Sequence, residues 1–168
     1  MSRKTQTQAA PAPPAPAGPD WRANAAVAAR LLVGGLLLFS GLHKAGAPVE
    51  EFMAVLEGYA VIPDPHLRLF AWVMPWAEIL GGLFLAAGLW TRPAAVVTAG
   101  LSASFFLALL STKLRGIELL NCGCFGEGIH LERWQAMTLD TILLAGSGLA
   151  WSWGGKRLAL DRWVEEGR

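Results

Sequence analysis

Charge is scarce in this chain. Of 168 residues only 16 % are Asp, Glu, Lys or Arg, and the formal net charge is +1. No basic stripe with interleaved aromatics occurs, which removes the case for nucleic acid. Cysteine is scarcer still, with two residues, Cys122 and Cys124. With His130 the one histidine close by, ligands run out before a closed four-ligand zinc site, and no metal is expected. The N-terminus also lacks a secretory signal. Arg3 and Lys4 are followed by Thr, Gln, Ala and Pro, not by an apolar core and a small-residue cleavage site. The Ala/Pro-rich stretch from Ala9 to Pro16 reads as an extended, solvated tail.

What the chain has instead is apolar length. Hydrophobic residues make up 54 %, and the charges sit mostly outside four long runs. The runs are Ala25 to Leu42, Leu69 to Trp90, Ala94 to Leu110 and Met137 to Trp153. The first would span about 27 Å as a helix, enough for a thin hydrocarbon core. Runs that must satisfy their own backbone hydrogen bonds in lipid predict an all-α, integral membrane four-helix bundle. The membrane domain covers residues 23–155, between a disordered tail (1–22) and a basic tail (156–168). The break Thr91-Arg92-Pro93 predicts a tight hairpin between the second and third runs.

Lysine and arginine positions give the orientation. Arg3, Lys4, Arg22, Arg92, Lys156, Arg157, Arg162 and Arg168 share one side. Lys44, Arg68, Lys113, Arg115 and Arg133 share the other, with most of the acids. The termini are therefore expected in the cytoplasm and the cysteine loop outside, in the periplasm of a bacterial inner membrane. In the first outer loop, Val49, Phe52, Met53, Leu56, Tyr59 and Ala60 recur at helical spacing. They predict a short amphipathic outer helix stopped by Pro63 and Pro65, either a lid beside the cysteines or a cap packed on the bundle end. Small residues such as Gly34, Gly41, Gly81 and Gly82 mark close helix packing, and Pro75 marks a kink.

The stretch Asn121-Cys122-Gly123-Cys124-Phe125-Gly126 carries the strongest chemical signal. As a staple it is poor: closing a three-residue loop contributes about 1.6 kcal/mol on the chain-entropy estimate. So small a ring is strained and easily reduced, and Gly123 supplies the turn it needs. A redox dithiol leads, ahead of a structural or partner-linked disulfide and of metal binding. His130 is either a tuning charge for a thiolate or a solvated loop residue.

Glu78 falls near the bilayer centre, where a carboxylate must be neutral, paired or wetted. It is a proton relay, the wall of a quinone-sized pocket, or a quiet interhelical group paired with Arg30. Lys44 and Asp140 are expected near the outer interface, where water or snorkelling relieves their cost and a mutual contact could form.

The elements Gly41-Leu42-His43-Lys44, Phe52 through Tyr59 with Pro63, Pro75-Trp76-Ala77-Glu78 and Cys122-Gly123-Cys124-Phe125-Gly126 together resemble the methylamine utilisation protein MauE family, within the DoxX-like four-helix membrane proteins. The resemblance covers roughly Arg30 to Ala150. It marks Lys44, Tyr59, Pro63, Glu78, Cys122, Gly123, Cys124, Phe125 and Gly126 as family-type positions. Asp140 departs from the basic or amide residue expected in the last helix. The resemblance implies a role in redox maturation of methylamine dehydrogenase or another extracytoplasmic enzyme. The expected partner is a thioredoxin-like protein or an enzyme subunit. Cys122 and Cys124 would exchange electrons with it, and a quinone in the bundle is one sink for them. The competing expectation is a non-catalytic anchor or assembly subunit, in which the cysteines stay as one disulfide.

Overall fold

The computed structural model describes residues 21–119, 122–123, 131–153 and 160–161. The Ala/Pro-rich tail, residues 124–130 with Cys124, Phe125, Gly126 and His130, and most of the basic C-terminal segment lie outside the described residues. Among the described residues the fold is all-helical. Its five helices are α1 (Trp21–Gly46), α2 (Val49–Tyr59), α3 (Asp64–Ala87), α4 (Thr91–Leu114) and α5 (Arg133–Trp153).

Three of these, α1, α3 and α4, are long and apolar enough to cross a membrane. Helix α5 has comparable length at 21 residues, but Asp140 and its hydroxyl residues dilute its apolar character. The surface has the polarity a lipid-embedded chain requires. Leu31, Leu32, Phe39, Leu69, Trp72, Leu80, Val96 and Leu107 are exposed, whereas Arg30, Lys44, Glu78, Thr98, Ser102, Asp140 and Ser147 are buried. A water-soluble domain avoids so large an apolar surface, and lipid tolerates charge only when it faces inward. The chain is a multi-pass membrane protein.

The closest helix contact is α1 against α3. A Cβ built on Gly34 would lie 2.6 Å from the Gly82 carbonyl oxygen, and one on Gly82 would lie 2.7 Å from that of Gly34. A Cβ on Gly41 would lie 2.7 Å from the Pro75 carbonyl oxygen. The two backbones touch because these positions have no side chains, as small residues allow in membrane helices. Helix α5 packs on α4 and α1. Ser147 of α5 meets Thr98 of α4 across a 3.0 Å hydroxyl hydrogen bond.

The α3–α4 hairpin turns earlier than expected. Gly88 (φ 69°) ends α3 in the left-handed conformation, donating its N–H towards Leu85 O. Thr91, Arg92 and Pro93 lie within the first turn of α4, where a proline costs no hydrogen bond. Charges of opposite sign close the two helix ends. Arg30 donates from Nε to Leu85 O (3.2 Å) and from Nη2 to Ala86 O (3.4 Å), at the carbonyl end of α3. Asp161 accepts from the backbone N–H groups of Trp90 (2.6 Å) and Thr91 (2.8 Å), at the amide end of α4. Both charges complement the helix dipoles. Arg30 therefore serves the hairpin rather than Glu78, and Asp161, inside the segment expected to be a basic tail, is an N-terminal cap.

Partial burial pushes the Asp161 carboxyl up, but the hydrogen bonds from Thr91 and Trp90 outweigh it and hold the group below its ordinary value. Its stabilisation is therefore fully present at neutral pH and is lost as acid approaches the folded-state pKa. Asp161→Ala should cost about 1 kcal/mol, as loss of an N-cap does. Unfolding in detergent at neutral pH should show the difference, and it should vanish in strong acid where the wild-type cap is itself protonated.

Candidate functional site

Lys44 and Glu78 are the most consequential pair in the interior. Lys44 comes from the last turns of α1 and Glu78 from the middle of α3, and they are 3 % and 1 % exposed. Lys44 Nζ lies 2.6 Å from Glu78 Oε1. Ser40, one turn before Lys44 on the same face, donates to Glu78 Oε2 at 2.9 Å. Both carboxylate oxygens are thus engaged. The ammonium also faces two aromatic rings, Phe105 at 4.7 Å and Phe52 at 5.0 Å from the centroids.

This geometry corrects three expectations. Lys44 does not snorkel at the interface, Glu78 is not paired with Arg30, and Asp140 is buried in the same cluster. Position along the apolar runs does not reveal this burial, since Lys44 lies in the last turn of α1 and yet faces inward, as does Asp140 of α5. Phe52 belongs to the helically spaced outer segment, whereas Ser40, Phe105 and Ser102 are additions that the fold supplies. Ser40 had a readable signal, its spacing of four from Lys44, whereas Ser102 had none.

A cleft of about 630 Å³ opens beside the pair, between α1, the start of α2 and α3, lined by Lys44, Phe52, Arg68, Ala71, Trp72 and Trp76 among others. Lys44, not Glu78, is the member of the pair that reaches it.

Cys122 and Gly123 are docked on α2. The Tyr59 hydroxyl donates to Cys122 O at 2.5 Å, and the Cys122 thiol points to Leu131 O at 3.1 Å. Gly123 has φ 65°, and a Cβ there would come within 2.2 Å of Val55 Cγ1. Both features require glycine. Arg115 fixes the far end of α2 by donating to the carbonyls of Tyr59 and Ala60, the latter residue left-handed at φ 49°. Arg133 donates to Ile117 O at 2.6 Å, tying α5 to the chain that leads into the segment. Pro63 stands apart, exposed at the entry to α3.

Cys122 is buried, and burial pushes its thiol up; Arg133 partly opposes this and Asp140 adds to it. It belongs to one apolar cluster with Phe52, Leu56, Tyr59 and Phe105. Because Phe52 and Phe105 also hold Lys44, the charged pair and the cysteine segment share a wall. The structure therefore brings Lys44, Glu78, Tyr59, Cys122 and Gly123 into one end of the fold.

Two predictions follow from this arrangement. Lys44→Met or Glu78→Leu alone should destabilise by about 3–5 kcal/mol, since each strands a buried charge, while the double variant should recover most of the loss. A double-mutant cycle on unfolding in detergent measures it. Gly123→Ala and Tyr59→Phe should loosen the segment from α2, read as faster alkylation of Cys122 after reduction, with Gly123→Ala the larger effect.

The chain matches a family profile described as methylamine utilisation protein MauE over residues 22–154. It is 32 % identical over 123 residues to the methylamine utilization protein MauE of Paracoccus denitrificans, covering 73 % of this chain and 66 % of that one. For the protein of the same name from Methylorubrum extorquens the figures are 32 % over 104 residues, 61 % and 56 %. For that from Paracoccus versutus they are 29 % over 98 residues, 58 % and 53 %. The matches thus span about half to two-thirds of these relatives' lengths. No solved structure matches.

Proposed function

The chain belongs to the methylamine utilisation protein MauE family, and we propose that it is a membrane accessory protein of methylamine utilisation that carries out thiol–disulfide exchange through Cys122 and Cys124. In this reading α5 is the fourth span of a four-helix bundle in the bacterial inner membrane, the termini are cytoplasmic, and the cysteine segment faces the periplasm. The lysine and arginine distribution supports that orientation. The partner is an extracytoplasmic thioredoxin-like protein or a redox-enzyme subunit with a disulfide of its own.

The observation that carries the proposal is the seating of Cys122. A purely structural disulfide has no need of a hydrogen-bonded platform, whereas an exchanging pair benefits from one sulfur held still while the other reacts. Buried and with its thiol shifted up, Cys122 suits the resolving role. The Cys124 thiolate attacks one sulfur of the partner disulfide, forming a mixed disulfide and releasing the other partner sulfur as a thiolate. The Cys122 thiolate then attacks Cys124 Sγ. The intramolecular disulfide forms, the second partner thiolate leaves, and two electrons have passed to the partner. The reverse sequence oxidises a partner dithiol by the same bonds.

Glu78 takes no direct part, since both its oxygens are held by Lys44 and Ser40. Its work is to fix α1 against α3 beneath the aromatic wall of the cysteine segment. A quinone acceptor would have to use the cleft beside Lys44.

In intact cells, a membrane-impermeant thiol reagent should label the pair only after mild reduction. Cys122→Ser should trap a mixed disulfide with the partner through Cys124, and Cys124→Ser should trap far less. Cytoplasmic labelling would overturn the orientation. Full function in the double serine variant would replace exchange with the anchoring reading.

A further inference from the structure

Next to the Lys44–Glu78 pair lies a second, far smaller space of about 20 Å³. It is lined by α1, α3, α4 and α5, and its polar walls are Ser40, Lys44, Glu78, Ser102 and Asp140. That volume exceeds the ~10–15 Å³ that one water molecule needs and is too small for an organic ligand. Two buried polar atoms, Ser102 Oγ and Asp140 Oδ2, have no hydrogen-bond partner. Their residues are 1 % and 4 % exposed. Buried polar groups are almost always satisfied, by ordered water where protein does not reach them.

The charges here do not balance. Lys44 from α1 is the cation at the cavity, and it faces Glu78 from α3 and Asp140 from α5. Helix α4 presents Ser102 and no charged group. The arginines of α1 are engaged elsewhere, Arg22 over the rings of Trp21 and Trp153 and Arg30 on the carbonyls of Leu85 and Ala86. Arg133 of α5 donates to Ile117 O, on the side where it acts on Cys122. Two carboxylates thus share one ammonium in a low-dielectric interior, and the second must either take a proton or be matched by another cation. Geometry says which one takes the proton. Glu78 has an ammonium on one oxygen and a hydroxyl donor on the other, both favouring its charged form. Asp140 Oδ2 has no donor at all.

We propose that this cavity is a proton-binding site: one water molecule occupies it, and Asp140 is a protonated carboxylic acid that donates to this water, which also engages Ser102. Lys44 and Glu78 remain ionised beside it. The site stands independently of the cysteine chemistry, although Phe105 walls both this cavity and the cluster that holds Cys122.

Infrared spectroscopy of the full-length protein in lipid nanodiscs at neutral pH tests this. The wild type should show the carbonyl stretch of a protonated carboxylic acid, shifted in D₂O. Labelling aspartate with carboxyl-¹³C should move the band and labelling glutamate should not. Asp140→Asn should abolish it, and Ser102→Ala should change its frequency by removing one partner of the water. Absence of the band, or its movement with labelled glutamate, would overturn the proposal. Should Asp140→Asn not fold, isotope labelling and Ser102→Ala decide the question; an unchanged band in Ser102→Ala overturns the water bridge.

Discussion

A lysine and a glutamate that meet in the interior of a membrane protein impose conditions on everything around them. Either ion alone in hydrocarbon costs several kcal/mol, so Lys44 and Glu78 must stay together, and α1 and α3 must therefore be in register. The glycines make that register attainable. Gly34 lies against Gly82 and Gly41 against Pro75, so each step towards the end of α1 is matched by one towards the start of α3. Ser40 and Lys44 then fall opposite Glu78, and Arg30 falls opposite Leu85 and Ala86. One antiparallel contact, made close by missing side chains, sets both polar ends of the bundle.

The end near Arg30 and the end near Lys44 solve the same problem in different ways. At the hairpin, the polar groups are the unsatisfied amides and carbonyls of helix termini, and single charges at the edge of the spans complete them: Arg30 on carbonyls, Asp161 on amides. At the other end Glu78 and Asp140 lie within their helices and Lys44 in the last turn of α1, and these charges must satisfy one another. Phe52 and Phe105 close that arrangement by turning ring faces to the ammonium. The same two rings belong to the apolar cluster around Cys122, so the rigidity demanded by the ion pair is passed on to the segment that bears the cysteine.

Much of this was legible in the sequence, because apolar length and helical spacing are local properties. The runs gave α1, α3 and α4 with displaced ends, and the spacing of Phe52, Leu56 and Tyr59 gave α2. Tyr59 and Gly123 stood out through a family resemblance, but only the fold shows that a hydroxyl of the first meets the carbonyl preceding the second. Partnerships between helices were not legible. Arg30 was matched to Glu78 on depth alone, yet about eight residues, or ~12 Å of helix, separate the levels at which they sit. Depth along a helix also does not tell which way a side chain faces: Lys44 in the last turn of α1 turns inward, whereas Leu42 two residues before it is exposed.

Helix α5 shows why average hydropathy understates a proposed fourth span. Asp140, Ser147 and Gly146 are buried, while Trp134, Ile142 and Leu149 face outward. Only the outward face would meet lipid, and its hydroxyl residues Thr138, Thr141 and Ser152 each donate to the carbonyl one turn earlier. Of the polar residues that lower the mean, the buried ones bind α5 to its neighbours, Ser147 to Thr98 directly and Asp140 to Ser102 through the proposed water. Their inward placement lowers the cost of insertion once α1 and α4 are present to receive them. Such a helix is poorly suited to cross lipid alone and well suited to join a bundle, so the order of association should place the α1–α3 pair first and α5 after α4.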